Sequence, residues 1–232
     1  MRRSGLLSLH FSLTEKLILF VSALILLAGV VLPYTNLSLF YSYVQEDGLV
    51  EWITVAGLLT SAFICFYRFA KLVRRKRAWF LFVTLLFGLF LLFVAGEEVS
   101  WGQRIFRLAT PEFFQKHNSQ QETNLHNLVV GGVKINKLVF SILLIAALGV
   151  FFLVLPWLYQ KSKSVRRFLD RSGVPVPQWY QVFVILLLFG LTTLIPIPES
   201  KNWELLECCA FQLFFLVVVY PRNREIFSIP EK

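Results

Sequence analysis

Residues 78–104 read AWFLFVTLLFGLFLLFVAGEEVSWGQR, in which an almost purely apolar run leads directly into two adjacent glutamates, Glu97 and Glu98. The run from Ala78 to Gly96 has about the 20 residues that a helix needs to cross a hydrocarbon core of about 30 Å. Because lipid offers no partner to unpaired backbone groups, the run is predicted to be a membrane-spanning helix. This helix would carry the two glutamates to the rim of the membrane.

Five other stretches have a similar length and character. Hydrophobic residues make up 56% of the chain and charged residues 16%, well below the roughly 25% charged residues usual in soluble domains. The composition predicts an all-α integral membrane protein in which residues 1–232 form a single transmembrane domain. We expect six transmembrane helices and, between the third and fourth, an outer-face loop over residues 97–137 that contains short interfacial helices. The expected spans cover about residues 17–32, 49–67, 78–96, 138–159, 179–197 and 203–220.

The distribution of lysine and arginine predicts the orientation of these spans. Seventeen of the 23 basic residues fall at the two termini and in the second and fourth connectors, which all lie on one side of a six-helix arrangement. Connectors rich in basic residues stay in the cytoplasm, so both termini are predicted to be cytoplasmic. The net charge of +9 is explained by this asymmetry and by contact with anionic lipid headgroups. No basic stripe lies on a soluble domain, which argues against a nucleic-acid partner.

Acidic residues show the opposite bias, and topology does not require it. Ten of the 14 lie on or near the predicted outer face, although acidic residues contribute little to orientation. At a rise of 1.5 Å per residue, Glu207 lies about 20 Å above Tyr220 and Glu51 about 24 Å above Tyr67. A carboxylate at this depth costs on the order of 2.5–3.5 kcal/mol when unpaired. Such side chains should face the bundle interior and find partners, for which Arg104 is the obvious candidate.

These considerations place a candidate polar site under the loop between the third and fourth spans. Arg104 has the planar fork that suits phosphate or another anionic group. In ETNLHN, Glu122 and His126 stand four residues apart, so a helix would present carboxylate and imidazole together. Clustered carboxylates can also raise a pKa into the range useful for acid–base catalysis. The candidate catalytic residues are Glu97, Glu98, Glu122 and His126, and the candidate substrate-binding residues are Glu51, Ser100, Trp101, Arg104, Glu204 and Glu207.

Other interpretations of the same residues stay open. Histidine with several carboxylates can hold zinc, iron or manganese, so a divalent metal is an open cofactor, but no H-E-x-x-H, E-x-x-H or H-x-x-x-H spacing assigns its ligands. Acids at the start of a helix can simply complement the helix dipole. His126 can be an ordinary interfacial histidine, and Asn124 and Asn127 can cap turns. A salt bridge from Glu97 or Glu98 can hold the loop onto the bundle.

The segments EDGLVEW (46–52), GEEVSWGQRIF (96–106) and QQETNLHN (120–127) resemble those of a family of uncharacterised bacterial multi-pass inner-membrane proteins. That family carries runs of the GEE-x-SWGQR and ETNLHN type. The resemblance covers residues 46–127, and the remaining spans only by their hydrophobicity. It implies a location in the bacterial inner membrane and brings no activity with it.

Three classes of function fit these observations. The leading hypothesis is an outer-face polar site that acts on or binds a lipid or lipid-linked substrate, with the chain as a membrane-embedded hydrolase or transferase in the enzymatic form. The second is a non-enzymatic binding or assembly subunit of an envelope complex, with the loop as the surface for a protein partner. The third is an ion-coupled transporter, since carboxylates inside a membrane also mark proton pathways. In each case membrane lipids surround the protein.

Overall fold

The computed structural model describes residues 11–45, 47–130, 133–134, 143–193 and 202–228. Within these residues the chain is almost entirely helical. The helices are α1 Leu13–Thr35, α2 Leu37–Val44, α3 Leu49–Leu72, α4 Ala78–Glu98, α5 Gln103–Phe106, α6 Glu112–His117, α7 Leu144–Gly149, α8 Leu155–Lys161, α9 Lys163–Ser172, α10 Trp179–Thr192 and α11 Asn202–Val219. Shorter elements are 3₁₀ helices at Ser100–Gly102 and Arg224–Phe227, a π-helical turn at Val150–Val154, and an antiparallel pair of strands, β1 Val129–Val130 and β2 Val133–Lys134.

Four segments are long and apolar enough to cross a membrane. They are Leu13–Thr35, Leu37–Leu72 (which contains α2 and α3), Ala78–Glu98 and Leu144–Lys161, and the shorter Trp179–Thr192 is also apolar. A helical chain with these segments is consistent with the membrane protein that the sequence predicts. Six spans, the position of the termini and the topology of the 97–137 loop stay predictions. The expected start of the fourth span at 138 and the expected end of the fifth at 197 lie outside the described residues.

Helix α11 forms the centre of the bundle. It packs against α3, α1 and α10, and its side chains are buried on nearly every side. A helix that is apolar all round is stable only when other elements surround it, and its one buried glutamine, Gln212, accepts a hydrogen bond from Ser22 of α1 at 2.7 Å. The surrounding helices expose large apolar side chains, as contact with lipid requires. The residues of α11 with no exposed surface are Leu205, Cys208, Cys209, Leu213, Leu216, Val217 and Val218.

Helix α4, which leads into the candidate site, is fixed at its start by α9. The sequence predicts only a charged connector after Lys161, but a helix forms there. Its first turn is capped by Ser162, whose hydroxyl accepts from the amide of Val165 at 3.3 Å. The indole nitrogen of Trp79 in α4 donates to the hydroxyl of Ser172 at 3.0 Å. The far end of α4 carries Glu97 and Glu98.

Candidate functional site

The candidate site begins where α4 ends, at a tight reversal of the chain. Ser100, Trp101 and Gly102 have φ angles of 47°, 54° and 76°, so three consecutive residues occupy the left-handed region. This conformation costs a non-glycine residue roughly 1–2 kcal/mol, and it persists only where the surrounding structure enforces it. One such contact is the Trp101 ring folded against Gly96, where an added Cβ would lie 2.9 Å from ring carbons. The reversal starts the cap segment, defined here as residues 99–128.

Glu97 ties the cap segment to the last turn of α4. The residue is 2% exposed. One carboxylate oxygen accepts a hydrogen bond from the Trp101 indole at 2.8 Å. The other accepts from the backbone amides of Leu125 at 2.6 Å and His126 at 3.1 Å. Hydrogen bonds to a charged acceptor are roughly twice as strong as neutral ones, so Glu97 holds the far end of the cap segment in place.

Arg104 joins the cap segment to the start of α3. Its guanidinium nitrogens lie 2.7 Å from a carboxylate oxygen of Glu51 and 2.9 Å from one of Glu122. A third carboxylate, that of Asp47, lies at 3.0 Å. Partial burial lowers the pKa of Arg104, but the hydrogen bond with Glu122 and the charges of the three carboxylates outweigh this effect and raise it. The prediction that Arg104 pairs with a deep carboxylate is confirmed for Glu51, and the pair with Glu122 is a contact that the sequence does not predict.

Buried hydroxyl and amide side chains fill the space beneath Arg104. Ser100 is 0%, Asn124 1% and Asn118 5% exposed. The Ser100 hydroxyl donates to the Glu122 carboxylate and accepts from the Asn124 side-chain amide at 2.7 Å. The side-chain amide of Asn118 donates to the backbone carbonyl and the side-chain oxygen of Asn124, each at 2.9 Å. This connected network holds the cap segment as one unit.

Asn118 and Asn124 are structural residues whose roles the sequence does not predict. It indicates only a turn cap for Asn124 and no role for Asn118. Their burial depends on the reversal after α4, which the sequence does not predict.

His126 lies beside Glu97, with its Nδ1 atom 3.9 Å from the carboxylate. Burial lowers the pKa of His126 more than the nearby charges of Glu97 and Glu122 raise it, so the ring is neutral at pH 7. The side-chain amide nitrogen of Asn127 lies 3.0 Å from Nε2, where a neutral ring with its proton on Nδ1 accepts a hydrogen bond. Both ring nitrogens therefore face protein groups.

The helix expected to place Glu122 and His126 on one face does not form. Residues 118–128 form turns closed by an isolated bridge between Asn118 and Leu128. The two side chains enter the network separately, Glu122 through Arg104 and His126 through its backbone amide. No helix forms because the buried side chains of Asn118 and Asn124 hydrogen-bond to backbone and side-chain groups of this segment. In a helix, the backbone groups would bond to one another instead.

A second group of acids lies next to this network. The carboxylate of Glu98 interacts electrostatically with those of Glu207, Glu204, Glu51 and Glu97. Within the described residues, no hydrogen bond or ion pair engages the side chain of Glu98 or Glu207. Glu207 also lines a cavity of about 70 Å³ whose other lining residues are apolar. These residues belong to α7 and α11 and are Leu144, Ile145, Leu148, Trp203, Leu206 and Ala210.

The structure therefore brings all ten candidate residues into one region, divided into two parts. The cap network contains Glu51, Glu97, Ser100, Trp101, Arg104, Glu122 and His126, and its polar groups bind one another. The acid cluster contains Glu98, Glu204 and Glu207 and borders an apolar cavity. In the part of the chain that the structure describes, no set of three or more His, Cys, Asp or Glu side chains is arranged to hold a metal ion.

The fold and the site define a helical protein with apolar helices of membrane-spanning length and an ordered polar cap at one end of the bundle. Comparison with known proteins finds no matching family model, no matching curated protein and no matching solved structure. Function is therefore inferred from the geometry of the cap network and the acid cluster.

Proposed function

We propose that this chain is a multi-pass protein of the bacterial inner membrane, with cytoplasmic termini, whose outer-face site binds the headgroup of a lipid or lipid-linked substrate. The observation that carries the proposal is the position of Glu207, whose carboxyl group lies on the wall of an otherwise apolar cavity between α7 and α11. An apolar cavity with one acceptor suits an amphiphile, because the chain of the ligand can lie along apolar side chains while its polar end reaches the carboxylate.

The chemistry of the acid cluster narrows the kind of headgroup. A carboxyl group accepts hydrogen bonds in either protonation state, so Glu98 and Glu207 can bind hydroxyl or ammonium groups of a ligand. Arg104 is already bound by three carboxylates, and an anionic ligand would have to displace them. We therefore expect a headgroup rich in donors, such as a sugar or an amine, and we assign Arg104 the role of holding the cap segment over the site.

An enzymatic form of this function would use Glu98 first among the four catalytic candidates. The carboxylates of Glu97 and Glu122 and the imidazole of His126 already bind other groups of the cap network. Glu98 belongs to the acid cluster and has no such partner within the described residues. A hydrolase or transferase would therefore take its base from the acid cluster, with the cap network as support.

The test is the analysis of lipids that remain bound to the purified protein. We expect the wild type to retain an amphiphile whose recovery falls by up to about tenfold in Glu207→Gln and Glu98→Gln, since a hydrogen bond contributes about 0.5–1.5 kcal/mol. The matched control is Glu112→Gln, because Glu112 is 79% exposed on α6 and pairs with exposed Lys116. Equal recovery from all four proteins contradicts the proposal.

A second candidate, a binding or assembly subunit of an envelope complex, is supported by the outer surface of the cap segment. Phe106 is 71%, Leu108 57% and Phe113 56% exposed, and exposed apolar side chains grouped in this way mark contact surfaces. A docking role predicts that Phe106→Ala and Phe113→Ala lower the recovery of a partner complex, whereas Glu207→Gln leaves it unchanged. The reverse pattern supports the lipid site.

A further inference from the structure

At the opposite end of α3 from Glu51, the C-terminal 3₁₀ helix (Arg224–Phe227) leaves a groove against the bundle. The groove has a volume of about 500 Å³. Its apolar lining includes Ile64, Tyr67 and Phe227, and its basic lining consists of Arg68, Lys71 and Arg224. One acid, Glu225, also lines it, so basic groups outnumber acidic ones by three to one.

Within this groove, Arg68 is the residue that indicates an anionic ligand. Its guanidinium lies over the Phe227 ring, 4.0 Å from the centroid, and donates to the backbone carbonyl of Val219 at 3.4 Å. Among residues 11–45, 47–130, 143–193 and 202–228, no carboxylate lies within ion-pair distance of Arg68. A guanidinium has five N–H donors, and the contact with Val219 uses one of them. Within those residues, Arg68 is therefore a partly buried cation that has further N–H donors and no anionic partner.

The two other cations stand at the edge of the groove. Lys71 lies one turn after Arg68 on α3, with its ammonium 5.4 Å from the centroid of the Tyr67 ring, and it is exposed. Arg224 is exposed on the facing 3₁₀ helix. The arrangement presents three positive groups from two elements above an apolar wall.

We propose that this groove binds an anionic phospholipid. Its phosphate would lie among Arg68, Lys71 and Arg224, and one acyl chain would follow the apolar wall toward Ile64. Basic pockets between membrane helices bind anionic headgroups in this way. The apolar wall favours a lipid over a free phosphate ion, which would gain nothing from Ile64 or Phe227. This site is separate from the cap network, because α3 carries the groove near its end and Glu51 in its first turn.

The test uses the full-length protein in detergent, with phosphatidylglycerol, phosphatidylcholine or inorganic phosphate added. We expect phosphatidylglycerol alone to raise the Tm of the wild type. Native mass spectrometry should show that Lys71→Gln/Arg224→Gln binds phosphatidylglycerol at least about tenfold more weakly than the wild type. Both substituted residues are exposed, so the variant should fold, and an unchanged Tm without lipid checks this.

Lys163→Gln is the matched control, because Lys163 is an exposed lysine of α9 that does not line the groove. It should bind phosphatidylglycerol as the wild type does. Equal affinity in the double variant, or equal stabilisation by phosphatidylcholine, overturns the proposal. Equal stabilisation by inorganic phosphate overturns the assignment to a lipid, since the groove would then be a site for a free anion.

Discussion

Arg104 links the start of α3 to the cap segment through contacts with Glu51 and Glu122. The sequence predicts the pair with Glu51, because a carboxylate deep in a membrane needs a cation and Arg104 follows α4 closely, but it does not predict the pair with Glu122. The partners of Glu97 could not be predicted in the same way. Besides the Trp101 indole they are backbone amides at positions 125 and 126, and which amides a carboxylate reaches depends on how the intervening loop folds.

His126 gives a pH dependence whose sign follows from its environment. Its pKa is lowered in the folded protein by burial, so the unfolded chain takes up a proton at a higher pH than the folded chain does. The stability that His126 contributes is therefore fully present above about pH 6.5, the ordinary pKa of histidine. It is lost as the pH falls from that value toward the lower pKa of the folded protein. We expect the Tm of the wild type to fall between pH 7.5 and 5.5 by more than that of His126→Gln.

The comparison isolates His126 from the other groups that titrate in this range. Carboxylates of the acid cluster are present in both proteins, so their effect cancels in the difference between the two Tm changes. Identical Tm changes in wild type and His126→Gln would show that the imidazole is not held neutral by burial.

Among the elements, α4 begins at the residue that the sequence predicts. The apolar run indicates a helix over 78–96, and the helix extends to Glu98. Its abrupt end could not be predicted, because Ser100 and Trp101 adopt left-handed angles that their residue types disfavour. Helix α9 is also missed, since a ten-residue basic segment between two apolar runs is equally typical of a connector.

The contact between Gly96 and Trp101 predicts the effect of a methyl group on the end of α4. An added Cβ at Gly96 would lie 2.9 Å from the Trp101 ring, and such crowding typically costs about 1–3 kcal/mol. Alanine also gains about 0.8–1.0 kcal/mol of helix propensity over glycine. We therefore expect Gly96→Ala to lower the free energy of unfolding by up to about 2 kcal/mol, measured by denaturant titration in micelles with Trp101 exposure followed by fluorescence quenching.

Gly57→Ala is the control for this substitution. Gly57 lies inside α3, and an added Cβ there meets no atom within 4 Å. This variant should be neutral or slightly more stable. If Gly96→Ala is as stable as Gly57→Ala and its Trp101 is no more accessible, the ring does not fix the reversal after α4.

For the whole molecule, the sequence predicts a helical membrane protein from composition and apolar length alone, since these depend little on how the helices pack. The central position of α11 could not be predicted in this way. Its segment has about the same length as the other spans. Because it contains two glutamates, Glu204 and Glu207, it is also no more hydrophobic than the other spans. Burial on all sides follows from contacts with α1, α3 and α10, which hydrophobicity does not encode.

The structure supports the predicted orientation by placing three of the four basic segments at one end of the bundle. Arg68 near the end of α3 contacts Val219 at the end of α11, and the amide of Arg222 donates to the carbonyl of Val176 beyond α9 at 2.8 Å. The connector after α3, helix α9 and the segment after α11 therefore lie together. Basic segments of this kind stay in the cytoplasm, so the cap segment at the other end should face outward.

Cysteine labelling tests this orientation, because Cys65, Cys208 and Cys209 are all buried and leave a low background. Ser119 in the cap segment and Ser164 in α9 are both exposed serines, which makes Ser119→Cys and Ser164→Cys a matched pair. In intact spheroplasts, a membrane-impermeant maleimide should label Ser119→Cys fully and Ser164→Cys only after permeabilisation. Labelling of Ser164→Cys before permeabilisation, with Ser119→Cys protected, would reverse the orientation and move the acid cluster to the cytoplasmic side. The proposed substrate would then have to enter from the inner leaflet, and the groove at Arg68 would face outward, away from the anionic lipid of the cytoplasmic leaflet.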